Sequence, residues 1–282
     1  MVKRYRKEDY PQRELEACHR ILMEMVNLLH EFSDHIALVG GWVPFFIAKS
    51  EVDPHVGSLD VDVAFDFKNI STETYETVLA ILKDNGYYQS NPIHKPFQWW
   101  KDVKIDDGAS VPVEVDLLAP EYGGRGQRHE NQFVQDTRAR KARGCDLVFS
   151  RLEEVILEGA LPNGSRDTVR CKVAGVVPFL VMKGMALGRG KPKDAYDIEY
   201  VIRNYPGGIA VIIELFQRDL DNKLVQEGLG RIRAKFESID HTGPQDIVNF
   251  LGISEENKLV RRRDAFDIVS ELLDALEVAR FV

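Results

Sequence analysis

Residues 12–32 set Leu15, Cys18, Ile21, Leu22, Met25, Leu28 and Leu29 at helical spacing, which predicts a long amphipathic helix. Residues 36–41 (IALVGG) then form a short apolar run closed by two glycines, read as a buried strand entering a turn. Residues 42–50 (WVPFFIAKS) return to helical character, and Pro44 suits a first helical turn. Residues 59–67 (LDVDVAFDF) alternate apolar and acidic positions, as do residues 111–118 (VPVEVDLL). Both predict strands with one polar face. Between them, residues 71–85 read as a helix that Ser71 caps and Asn85-Gly86 stops. Residues 121–128 (EYGGRGQR) read as a glycine-rich loop, and residues 145–150 (CDLVFS) and 168–175 (TVRCKVAG) as further strands. Beyond residue 175 the pattern is helical. Pro178 opens an apolar segment through Leu187, and helix resumes at Asp194 with breaks near Pro206-Gly207-Gly208 and Thr242-Gly243-Pro244.

This order predicts an α+β protein: a small mixed-sheet domain over residues 1–175 and a helical domain over residues 176–282. A chain of 282 residues can bury a real core in either arrangement. The net charge of -8 argues against a nonspecific nucleic-acid coat, though a local basic patch stays open. The three cysteines, Cys18, Cys145 and Cys171, are scattered and form no Cys-x-x-Cys pair, so neither a zinc knuckle nor a disulfide framework is suggested and a reducing cytoplasm is expected. The first residues lack an apolar core, so no signal peptide is expected. The longest apolar runs, such as residues 176–182, are too short to span a membrane. The seven histidines show no metal-ligand spacing.

The chemistry concentrates in the acidic strand positions. Asp60 and Asp62 are two residues apart on a strand, so their side chains share a face about 7 Å apart. Carboxylates that close repel unless a cation lies between them, and Mg²⁺ takes oxygen ligands of this kind. Asp116 lies on the second alternating strand and can complete the set if the two strands are neighbours. Glu114 shares its face and competes for the role. The other reading of Asp60 and Asp62 is a solvated strand face. Against it stands the order of features: strand, Gly40-Gly41, helix, then Asp-x-Asp. Glycines at that turn let a backbone approach a phosphate, and a helix N-terminus favours an anion. Trp42 either packs over the helix or stacks near a base, with packing the favoured role.

GGW at 40–42, SLDVDVAF at 58–65 and VEVDLL at 113–118 resemble the polymerase-beta-type nucleotidyltransferase superfamily. Its signature is Gly-Gly or Gly-Ser, a spacer, Asp-x-Asp and a third acid on a later strand. The spacer here, residues 42–59, is longer than in many members, which an insertion at residues 51–56 explains. Trp42 stands where many members have Ser, and Ser58 matches the small polar residue before Asp-x-Asp. Residues 181–202 (VMKGMALGRGKPKDAYDIEYVI) are similar to the helical motifs of the type II AbiE toxin-like branch of abortive-infection systems, with Lys183, Lys193, Asp194 and Asp197 at the matching positions and Ile198 for the usual Leu.

The resemblance implies transfer of a nucleoside monophosphate from an NTP to a tRNA end or a protein, with Mg²⁺ or Mn²⁺ held by Asp60, Asp62 and Asp116. Gly40, Gly41, Ser58, Lys183, Asp194 and Asp197 would bind nucleotide, and a cognate antitoxin would be the partner. Asp194 also suits a helix cap, and both roles can coexist. Two rivals stay open: an antibiotic-modifying nucleotidyltransferase, and a nucleotide- or antitoxin-binding protein without catalysis. Weaker features are the basic runs Arg138, Arg140, Lys141, Arg143 and Arg261, Arg262, Arg263, read as solvated faces or phosphate contacts. The pair Trp99-Trp100 is read as core before base stacking.

Overall fold

The computed structural model describes residues 4–67, 69–105, 108–120, 131–134 and 137–278, with the side chains of 131–140 outside that description. The glycine-rich loop expected at 121–128 lies outside the described residues. The chain is α+β and divides into two compact units. A sheet unit comprises Pro11–Val43 and Gly57–Ala174. A helical unit comprises Met1–Tyr10, Pro44–Val56 and Gly175–Val282. The insertion expected at residues 51–56 thus belongs to an excursion that groups with the helices.

In the sheet unit the elements run α1 (Gln12–Leu28), β1 (Ile36–Val39), a 3-10 turn at Gly40–Trp42, β2 (Asp60–Phe65), α3 (Thr72–Asp84), β3 (Gln98–Lys104), β4 (Ser110–Pro120), β5 (Asn131–Val134), β6 (Thr137–Ala142), β7 (Leu152–Ala160) and β8 (Arg166–Ala174). The short α2 (Val43–Ile47) leads out of this unit. The strands form one mixed sheet in the order β5-β6-β4-β2-β1-β8-β7, with β3 also paired to β4. β1 is antiparallel to β2 and β2 is parallel to β4. Val63 of β2 and Leu38 of β1 line a cleft with Met25 of α1 and Leu29 just past its end, so α1 covers the apolar sheet face. By strand alternation the acidic positions of β2 face the other way. Ser71 caps α3 by accepting from Thr74 N, and α3 docks through Tyr75, whose ring meets Phe65 edge-on.

Residues 145–150 correct one expectation. They form a 3-10 helix, not a strand. Gly144 turns the chain at φ +85, and the Ser150 hydroxyl donates back to Leu147 O. A short apolar run fits either geometry, and here Cys145 and Val148, one turn apart, are both buried. The first helix also ends earlier, at Leu28, and passes into a 3-10 turn at His30–Phe32.

The helical unit contains α4 (Val176–Ala186), α5 (Pro192–Asn204), α6 (Gly208–Gln217), α7 (Lys223–Lys235), α8 (Thr242–Leu251) and α9 (Glu255–Ala275). α4 is apolar on nearly every side and α5 is buried from Pro192 to Ile202, so these two helices are its core. α4 and α7 approach closely at two glycines: a β-carbon on Gly184 would sit 2.4 Å from Gly228 O. Among the described residues no helix is long and apolar enough to cross a membrane.

Candidate functional site

Parallel pairing of β2 and β4 sets Asp60 opposite Glu114 and Asp62 opposite Asp116. Neighbouring strands are about 4.8 Å apart and alternate residues about 7 Å, so four carboxylates occupy a small rectangle on one sheet face. β3 extends both rows, with Gln98 in register with Asp116 and Trp100 with Glu114. Asp116 and Glu114 are buried, while Asp60 and Asp62 are half-buried and reachable from solvent. The strand adjacency that the third acid required is present.

Each acid is held. The Ser58 hydroxyl donates to Asp60 Oδ1 at 2.5 Å. The Gln98 amide donates to Glu114 Oε1. Asp62 lies directly over Gly40: a β-carbon there would sit 1.9 Å from Asp62 Oδ2, and Gly40 has φ +73. The glycine turn is therefore fitted to an aspartate of its own chain. α2 spans only Val43–Ile47 and follows the 3-10 turn, so the helix terminus expected to face a phosphate is short. Trp42 packs: its indole Nε1 donates to Cys18 Sγ at 3.2 Å, and its ring covers Gly57.

The carboxylates create a strong negative field. Glu114 is pushed up to about 7, first by burial and then by Asp116 and Asp60, while Gln98 and Lys95 pull the other way. The buried Cys18 thiol is pushed up by burial and then by Asp60 and Asp62. Such a face attracts cations. Its donors are carboxylate oxygens, the set that suits Mg²⁺ or Mn²⁺. Among the described residues no group of three or more His, Cys, Asp or Glu is placed to hold a metal ion. The acids are spread over two strands at strand spacing and do not close around a point.

The remaining expected residues belong to the helical unit. Lys183 Nζ lies 2.7 Å from Asp194 Oδ1 and 2.7 Å from Asp197 Oδ2. Lys193 Nζ lies 2.8 Å from Asp197 Oδ1, which also bonds His55 Nε2 at 2.9 Å. Burial opposes both charges, but Lys183 and Lys193 hold Asp197 far below the usual carboxylate range, and Asp194 and Asp197 raise Lys183. His55 stays neutral. Burial and the charge of Lys193 lower it to about 4, against the hydrogen bond that Asp197 accepts from it. Asp194 lies in the first turn of α5, where a helix N-terminus favours an acid, and it also accepts from Lys183 Nζ.

Sequence reasoning missed His55, Gln98 and Glu199. His55 and Glu199 pair with Asp197 and Arg261, far away in sequence, and Gln98 lies on strand β3, which the pattern did not reveal. Glu199 binds Arg203 at 2.6 Å and Arg261 at 2.8 Å, and Arg262 binds Asp240 at 2.8 Å. That engages two of the three arginines of the 261–263 run. Trp99 is core, whereas Trp100 is half-buried and shares the face of Gln98. The side chains of Arg138 and Arg140 lie outside the described residues. No family model matches this chain, and no curated protein or solved structure matches it either.

Proposed function

We propose that the chain is a metal-dependent nucleotidyltransferase that moves a nucleoside monophosphate from an NTP to a hydroxyl of a tRNA end or a protein. The observation that carries this reading is the parallel register pairing Asp62 with Asp116 and Asp60 with Glu114 beside the Gly40 turn. The acceptor oxygen bonds to the α-phosphorus, the bond to the β-phosphate oxygen breaks, pyrophosphate leaves, and the hydroxyl proton passes to solvent. Asp60, Asp62 and Asp116 are the residues that would hold Mg²⁺ or Mn²⁺. When bound, such an ion supplies charge neutralisation for the attacking and leaving oxygens. The chain's own part is to fix those acids. Ser58 anchors Asp60, Gly40 seats Asp62, and the β4 backbone sets Asp116 in register. Positioning of this kind supplies much of the rate in phosphoryl chemistry.

The motif resemblance supports a cytoplasmic toxin of a toxin–antitoxin or abortive-infection pair, with an antitoxin as partner. Three free buried cysteines accord with that compartment. The test is incubation with each labelled NTP, Mg²⁺ and cell RNA or lysate. Label transfer that drops at least about 100-fold in Asp60→Ala is expected. Absence of transfer from every NTP, with the variant indistinguishable, would sink the reading.

A further inference from the structure

We propose that Lys95 is a phosphate-binding residue of the acid face and engages the polyphosphate of the incoming nucleotide. This rests on the nucleotidyl-transfer reading and adds to it a cation within the sheet unit itself.

Lys95 precedes β3 by one turn, and Gln98, the first residue of β3, lies in register with Asp116. The turn is fixed from both sides. Lys95 N donates to Asn91 O at 2.8 Å, Gln98 N donates to Lys95 O at 3.1 Å, and Leu117 N of β4 donates to Phe97 O at 3.0 Å. The Gln98 side chain aims the lysine. Its amide nitrogen donates to Glu114, which leaves its oxygen to accept from Lys95 Nζ at 3.4 Å. Rotating that amide would break both contacts, so the Gln98 oxygen faces the ammonium at the rim of the carboxylate rectangle.

Two properties fit a phosphate ligand. Lys95 is exposed, so an anion can reach it, and among the described residues it makes no ion pair. A nucleotide tail brings about four negative charges to a face that is already acidic. Divalent ions offset part of that load, and a lysine at the rim acts on the rest as a point charge. The lysines of the α5 cluster differ, because each is buried and already paired with aspartate.

The probe is inorganic triphosphate with Mg²⁺, titrated by calorimetry into the full chain. It carries no base, so the identity of the NTP does not matter. Lys95→Met should weaken binding about tenfold while the melting curve stays put, because the side chain is exposed. Lys95→Arg should recover part of the loss. Equal affinity in wild type and Lys95→Met, with labelled transfer intact in wild type, overturns the role of Lys95 and leaves the transferase reading standing. A wild-type protein that binds no triphosphate with Mg²⁺ and transfers no label overturns both.

Discussion

A β-carbon at position 40 has no free space, because the Asp62 carboxylate already fills it. Gly40→Ala therefore acts twice: it strains a backbone held at φ +73 and pushes Asp62 off its seat. On the nucleotidyl-transfer reading Asp62 helps to position the reacting groups, and a displacement of about 1 Å costs on the order of 100-fold in rate, which is the loss of transfer expected. Stability should fall by only about 1–2 kcal/mol. Rate assays beside urea melts separate the two effects, and equal transfer by Gly40→Ala would show that Asp62 is not needed where it sits. Asp60 and Asp62 were legible as a pair because strand alternation fixes them on one face. Asp116 was legible only on condition that β4 adjoins β2, a fact of topology that no spacing encodes. Gln98 and Lys95 carried no pattern at all, since their meaning comes from pairing with β4.

At the scale of elements, helices with a clear apolar stripe were readable: α3 lies close to its expected bounds, and α1 starts where expected but ends at Leu28, short of residue 32. β7 was not readable, because LEEVILEGA breaks alternation and gains its strand form from pairing with β8 along its length. β3 escaped for a similar reason. Its residues QWWKDVK carry no clean period, and antiparallel pairing with β4 defines it. α4 offered only apolar character, and what the letters did not reveal is its crossing with α7. Gly228 has no room for a side chain, since a β-carbon would meet Val181 Cα at 2.9 Å. Gly228→Ala should therefore cost about 1–3 kcal/mol by forcing the two helices apart, despite the better helix propensity of alanine. A higher urea midpoint in this variant would show that the crossing can relax at no cost.

For the whole molecule, acid response follows from groups buried in the helical unit. His55 has its ordinary value lowered to about 4, so between the two values the unfolded chain takes a proton that the folded chain refuses. The His55 contribution to stability then falls as pH drops through that window, by about 3 kcal/mol. Asp197 works in a lower range. Its stabilisation is intact above the usual carboxylate value and is lost only below it. Glu114, pushed up to about 7, works the opposite way between pH 7 and its ordinary value, so the His55 effect is read as a difference between two proteins. Urea midpoints at about pH 7, 5.5 and 4.5 should fall more, or rise less, in wild type than in His55→Gln. Parallel curves for the two proteins would contradict the burial of a neutral His55. The excursion that carries His55 has a further consequence, for the timing of synthesis. Its partners lie far downstream: His55 bonds a residue 142 positions later, and Lys49 N bonds Asn204 O. At about 5–20 residues per second, the ribosome leaves that excursion without its partners for on the order of ten seconds. Apolar Ile47 and Ala48, buried once the chain is complete, are exposed to the cell during that interval. The time taken to translate residues 57–196 therefore sets the shortest delay before that excursion can reach its partners.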